Sequence, residues 1–288
     1  MRGLSMSAPA EPGLYDGIPD AVYHGDRNSL SSSGARKLLP PSTPALFKYE
    51  QDHPVFKDTF DFGHAAHAEV LGTGMDIVEV IADDWRTKAA QQTRDSIRAE
   101  GKTPLLTKDL AKVLEMADAL RSHETAATLL SNGKAEQSLY WRDQATGIMR
   151  RARPDWLPNP TGSRLVIPDY KTAVSADETD FAKAAGDYGY HCQAPWYLDG
   201  IIELGIHPDP EFVFVVQEKE PPYLVNVVQL APDALELGRQ LNRIAIETYV
   251  TCRQTGIWPG YGEDIKLVDL PPWLYSQHGE PISEMEFE

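Results

Sequence analysis

The chain of 288 residues is 42% hydrophobic and 24% charged, the composition of an ordinary folded protein with length enough for one large domain. Its 27 basic and 43 acidic residues give a formal net charge of −16, which excludes a protein that coats nucleic acid through bulk charge but not a metal-loaded site that meets it locally. Two cysteines, Cys192 and Cys252, are too few for a disulfide framework, a four-cysteine zinc site or an iron–sulfur cluster, and the absence of a long apolar run or a leader pattern points to a cytoplasmic protein without a membrane span.

Residues 1–12 are small and punctuated by proline and glycine, and a flexible tail is expected over about 1–20, with 21–288 forming a single domain. Residues 30–39 begin with serines and end at Pro40-Pro41, the text of a short capped helix. A second helix starts near Phe60 and sets Phe62, Ala66, Val70 and Leu71 at helical spacing, with His67 riding on it. Leu, Ala, Val and Met recur at steps of three and four over residues 106–130, predicting one long amphipathic helix. Strands are then expected at 136–141 and 148–156 around a turn at 143–147, and a third at 164–172 after the loop 158–163. Helical text over 178–188 and 190–204 precedes a hairpin of 211–217 with 224–230, and 232–255 closes as a long helix. This order predicts an α/β fold, a mixed central sheet flanked by helices, with a helical N-terminal part and a packed C-terminal cover rich in Trp, Pro and Tyr.

The chemistry concentrates in Arg153-Pro154-Asp155 and Asp169-Tyr170-Lys171, with thirteen residues between the two aspartates. Side chains alternate along a strand, so Asp169 and Lys171 share a face. Asp155 and Asp169 could grip one hard divalent cation, Mg²⁺ or Mn²⁺, with the Tyr170 carbonyl as a third oxygen and the lysine beside it. Spacing alone does not establish this, since Asp264-Ile265-Lys266 has the same form; that triplet, however, follows turn-rich text and has no partner strand upstream. Alternation also places Arg151 and Arg153 on the face of Asp155, where they could meet phosphates. Gln193 and Tyr197 lie four apart and so stack on one helical face, either at a phosphate or as ordinary core.

The order Gly63-His64-Ala65-Ala66-His67, Arg153-Pro154-Asp155, Asp169-Tyr170-Lys171 and Gln193-Ala194-Pro195-Trp196-Tyr197 resembles the PD-(D/E)XK nucleases of the RecE branch, exonuclease VIII-like phage and prophage proteins related to lambda exonuclease and the RecB nuclease domain. The resemblance implies a restriction-endonuclease-like core and a metal site of His67, Asp155 and Asp169, with Lys171, Gln193 and Tyr197 catalytic. The choice of His67 over His64 rests on it. It also implies that Ser31 and Ser33, with Arg27 or Arg36, receive a terminal phosphate, whereas the local text favours a plain helix cap for any one of these serines. Glu136 is a subsidiary acidic candidate.

The implied activity is Mg²⁺-dependent 5′-to-3′ digestion of duplex DNA ends by a ring-shaped homo-oligomer in a bacterial cell, leaving 3′ tails for a RecT-type annealing protein. Two other readings stand beside it. One is a single-strand or structure-specific repair nuclease, whose relatives commonly carry four cysteines around an iron–sulfur cluster. The other is a catalytically silent DNA-binding or assembly module.

Overall fold

The computed structural model describes residues 7–53, 61–72, 76–160 and 164–278. Residues 1–6 of the expected tail, Phe60, residues 161–163 of the 158–163 loop, residues 279–288 and the side chain of His64 lie outside the described residues. The chain starts with β1 (Gly13–Tyr15), α1 (Asp20–Gly25), β2 (Ser29–Ser31), α2 (Ser32–Arg36), α3 (Pro44–Asp52) and α4 (Asp61–Leu71). There follow β3 (Ile77–Val80), α5 (Lys88–Ala99), β4 (Thr103–Leu106), α6 (Thr107–Ser122) and α7 (Glu124–Leu129). Four strands, β5 (Gly133–Ala135), β6 (Ser138–Arg142), β7 (Met149–Ala152) and β8 (Trp156–Pro158), lead to the long β9 (Leu165–Ala173). The rest is α8 (Glu178–Tyr188), α9 (Tyr190–Glu203), β10 (Pro210–Glu218), β11 (Val225–Val228), α10 (Pro232–Thr255) and α11 (Pro272–His278).

Two mixed sheets organise these elements. One has the order β1-β6-β7-β2, with β2 and β7 parallel and the other pairs antiparallel; the second has the order β11-β10-β9, with β9 and β10 parallel. The parallel pair is apolar on both faces over 165–168 of β9 and 212–216 of β10, as strand segments covered on both sides must be. Leu165 and Ile167 of β9, with Phe212, Phe214 and Val216 of β10, join the main core against Ala194, Trp196 and Ile201 of α9 and Tyr249 of α10. Tyr170 and Val215 face a second core made by Ala65 and Ala66 of α4 with Val113 and Met116 of α6.

The expected helices 178–188 and 232–255 and both hairpins form, while four local expectations are corrected. The N-terminal segment is held from Gly13 onward, because β1 pairs with β6 and Tyr15 packs edge-on against Tyr140 at 5.9 Å. The helix expected over 106–130 breaks at His123, which turns to extended backbone (ψ 105°) and caps α7 by accepting the Ala126 N–H on its ring Nδ1 at 3.2 Å. The strand expected over 148–156 stops at Ala152; Pro154 has no N–H to extend the ladder, and β8 pairs instead with β5. The strand expected from residue 136 starts at Ser138, because Glu136 adopts a left-handed φ of 52°.

Asp143, at the turn of the β6–β7 hairpin, ties that hairpin to α10. It is 5% exposed, accepts hydrogen bonds from Thr146 N at 3.0 Å and Thr146 Oγ1 at 2.7 Å, and pairs with Arg243 and Arg150. Burial works to raise its pKa, but the bonds from Arg243 and Thr146 outweigh burial and hold it below the ordinary carboxylate value. A carboxyl depressed in the folded state adds stability above its unfolded pKa near 4 and loses it as pH falls through the lower folded value. Asp143→Asn is therefore expected to cost about 3 kcal/mol at neutral pH. In urea titrations between pH 7 and 3, the gap between wild type and variant should narrow below pH 4; a pH-independent gap would remove this linkage.

Candidate functional site

The odd-numbered face of β9 runs from core to chemistry. Leu165 and Ile167 are buried in the main core, Asp169 next on the same face is 1% exposed, and Lys171 follows with its side chain 23% exposed. Asp169 Oδ1 accepts a hydrogen bond of 2.7 Å from Gln193 Nε2 on α9. Its other oxygen, Oδ2, lies against the Lys171 ammonium, yet it is buried without an aligned hydrogen-bond donor. The contact is thus an ion pair that leaves directional acceptor capacity unused.

Asp155 reaches the same place from the break between β7 and β8. Its Oδ2 accepts the Tyr170 N–H at 2.8 Å, and its Oδ1 stands 3.1 Å from His67 Nε2 on α4. The other ring nitrogen of His67 is 3.9 Å from Glu136 Oε1. The break at Pro154 has a function in this geometry. A continued strand would hold Asp155 in line with β7, whereas here its carboxylate bridges β9 to α4.

A buried carboxylate and a half-buried one side by side cannot both ionise freely, and the site divides them. Burial first, and then the Asp155 charge, push the Asp169 pKa up to about 6. Asp155 also feels burial, but His67, Lys171 and the Tyr170 amide outweigh it and hold its pKa below the usual carboxylate range. Burial opposes the charged forms of His67 and Lys171 as well. The carboxylates prevail in both cases and raise both pKa values, led by Asp155 at the imidazole and Asp169 at the ammonium.

The donor chemistry, two carboxylates and an imidazole with one buried oxygen lacking an aligned donor, fits a hard divalent cation. Among the described residues, however, no three His, Cys, Asp or Glu side chains converge tightly enough to hold a metal. In this arrangement His67 and Lys171 supply the countercharge, and a cation would have to share or displace those contacts.

A cavity of about 570 Å³ brings together His67, Asp155, Lys171, Gln193 and Tyr197 with Ser31, Ser33 and Arg153 at its walls. Tyr197 is both core and site, packing edge-on to Phe212 at 5.8 Å while lining the cavity. Burial pushes its phenol well above the ordinary range, so it remains a neutral hydroxyl.

The two arginines depart from expectation. They share a face, both guanidinium groups lying over Tyr23 at 5.1 and 4.0 Å, but neither presents an uncommitted charge. Arg151 is 6% exposed and donates to Ser29 Oγ at 2.8 Å and Asp26 O at 3.2 Å, lining a neighbouring cavity rather than this one. Arg153 does reach this cavity, yet it bonds Asp20 at 2.6 Å, Ser138 Oγ at 2.9 Å and Ile18 O at 2.8 Å. Ser31 is the N-cap of α2, accepting Gly34 N at 3.1 Å, and its hydroxyl lies 3.2 Å from that of Ser33; both serines border the two cavities.

Sequence reasoning missed Tyr190, whose ring faces the Lys171 ammonium at 5.1 Å, and Tyr23, which supports the arginines. The only signal for Tyr190 is its place three residues before Gln193, at a glycine junction between helices.

A carboxylate at the break after one strand, and a carboxylate and lysine two residues apart on the next, set within helices on both faces of a mixed sheet, define a PD-(D/E)XK-type α/β fold. The chain belongs to the PDDEXK-like domain family of unknown function, DUF3799, which matches residues 44–271. No curated protein matches the sequence. Among solved structures it is similar to the "putative exonuclease" of Eubacterium rectale, with a TM-score of 0.58 and 10% identity over 92% of this chain and 99% of that one, a likeness of fold. A phage-related exonuclease from Haemophilus somnus 129PT aligns over 80% of this chain and 96% of its own at 12% identity and a TM-score of 0.32. No helix among the described residues is long and apolar enough to cross a membrane.

Proposed function

We propose that this protein is a metal-dependent deoxyribonuclease of the RecE type, a 5′-to-3′ exonuclease that digests duplex DNA from an end and leaves 3′ single-stranded tails. The observation that carries the reading is the meeting of His67, Asp155, Lys171 and Gln193 in one cavity, with Asp169 buried directly behind them against Lys171 and Gln193.

His67, Asp155 and Asp169 would hold Mg²⁺, with Mn²⁺ as a substitute, and the cation would supply Lewis-acid polarisation of the scissile phosphodiester. Lys171, kept protonated by its carboxylate neighbours, donates to the attacking water or to a phosphoryl oxygen where negative charge grows. Gln193 fixes the rotamer of Asp169 by its 2.7 Å bond, and the Tyr197 hydroxyl offers a neutral donor one turn further along α9. Ser31 and Ser33 are the candidate receivers of a terminal phosphate, with Arg36 as their charged companion. A ring-shaped homo-oligomer would provide processivity for a chain of net charge −16, and a RecT-type annealing protein would take the 3′ tail.

Linear duplexes labelled at either 5′ or 3′ ends, and a closed circle, test the reading when incubated with Mg²⁺ or with chelator. Release of the 5′ label first, an intact circle and full arrest by chelator are expected. Cutting of the circle would make the protein an endonuclease, and no cutting with Mg²⁺ or Mn²⁺ would leave the assembly-module reading. Asp155→Ala and Asp169→Ala should each weaken Mn²⁺ binding by at least about 10-fold in calorimetry. Unchanged affinity in both would overturn the ligand assignment.

A further inference from the structure

At the mouth of the same cavity α8 ends and α9 begins with a single residue between them. That residue, Gly189, is left-handed (φ 70°), and a Cβ there would lie 2.4 Å from Arg36 Cδ. The sharp junction sets Tyr188 and Tyr190 side by side, ring centroids 5.8 Å apart and tilted by 30°. Tyr190 is held firmly, stacked on Phe181 at 5.9 Å and on Phe214 at 5.4 Å, and it carries the Lys171 ammonium at 5.1 Å. Tyr188 is 58% exposed and lines the cavity rim. Beside it Arg36 is exposed, and its guanidinium forms no ion pair or hydrogen bond with any described residue.

A single exposed tyrosine needs no explanation. Here the exposed ring ends an aromatic series that leads to the lysine of the site, and an arginine without a carboxylate partner among the described residues flanks it. An open ring face next to an uncompensated guanidinium, above a floor built for a phosphodiester, is the chemistry that receives a nucleobase together with its backbone phosphate. A base stacked inside a duplex has no face to offer.

We propose that Tyr188 is a stacking platform for an unpaired nucleobase of the strand being cut, with Arg36 on the adjoining phosphate, so that the cavity takes a frayed or single-stranded end rather than paired DNA. This rests on the nuclease reading and names the form of substrate that its site accepts. Tyr188 and Arg36 act in binding and are distinct from the groups assigned to the chemistry.

The test uses the full chain with Ca²⁺ in place of Mg²⁺ and a single-stranded oligonucleotide bearing 2-aminopurine at its 5′ end. A matched strand has an abasic 5′ residue, and cleavage of end-labelled duplex is measured in parallel with Mg²⁺. Binding to wild type should quench the fluorophore. Tyr188→Ala should abolish the quench and weaken binding roughly 5- to 150-fold, the range of one lost stacking contact. Tyr188→Trp should restore both, and the abasic strand should bind wild type and Tyr188→Ala alike. Equal affinity and quench in wild type and Tyr188→Ala, with duplex cleavage intact, would overturn the platform and leave the nuclease standing. Failure of wild type to bind or cleave any DNA would overturn both.

Discussion

Replacing Lys171 with alanine should lower single-turnover DNA cleavage roughly 10²- to 10³-fold while leaving Mn²⁺ affinity within a few-fold of wild type or tighter. The rate loss follows from electrostatics. The ammonium is a cation that the site places against Asp169, in a pocket where water screening is poor, and a donor of this kind aimed at developing charge contributes roughly 3–4 kcal/mol to the transition state. The metal result follows from position. The lysine lies on Oδ2 of Asp169, an oxygen a cation would need, so its removal takes away a competitor as well as a catalyst. Rapid-quench cleavage of a labelled duplex and Mn²⁺ calorimetry read the two effects separately. Cleavage within 10-fold of wild type would remove the lysine from the chemistry. Normal cleavage combined with lost metal binding would reverse the assigned roles.

The parts of this site that sequence made legible are those governed by local periodicity. Asp169 and Lys171 share a face because strands alternate, and Gln193 meets Asp169 because the helix that starts at Tyr190 presents it inward at the right turn. The resemblance to the RecE branch singled out His67, and the structure puts its ring 3.1 Å from Asp155. What alternation could not supply was the break at Pro154. Read as one strand, 148–156 keeps Arg151, Arg153 and Asp155 on a common face toward substrate; in the fold the strand ends at Ala152, Asp155 turns to the Tyr170 amide, and both arginines close on Asp26, Ser29 and Asp20. Those partners lie more than a hundred residues away in sequence, so no local signal marked the arginine charges as neutralised. The tyrosines around Lys171 were hidden for a similar reason. An aromatic at a helix junction reads as core until its neighbours in space are known.

Gly238→Ala should be the most damaging small substitution in the molecule, although it adds a single methyl group to a good helix position. Gly238 lies buried on α10 where that helix crosses the first turn of α9. A Cβ there would stand 1.6 Å from the His191 carbonyl oxygen and 2.5 Å from its carbon, and these are backbone atoms that cannot swing aside. The crossing is further fixed by Asn242 Nδ2, which donates to Cys192 O at 2.9 Å. The helices must therefore separate, at a cost of about 3 kcal/mol or more. The displaced turn is the one that carries Gln193, two residues beyond His191. A shift of about 1 Å there breaks the 2.7 Å bond to Asp169 and should reduce cleavage by about 10²-fold even in protein that remains folded. Gly186→Ala on α8 is the matched control: nothing lies within 4 Å of its Cβ, and the change should stabilise by about 0.5–1 kcal/mol with cleavage unaltered. Denaturant midpoints and single-turnover rates for the two variants separate the claims. A Gly238→Ala protein of wild-type stability would show that α9 and α10 do not touch as described, and a destabilised but fully active one would show that α9 does not position Gln193.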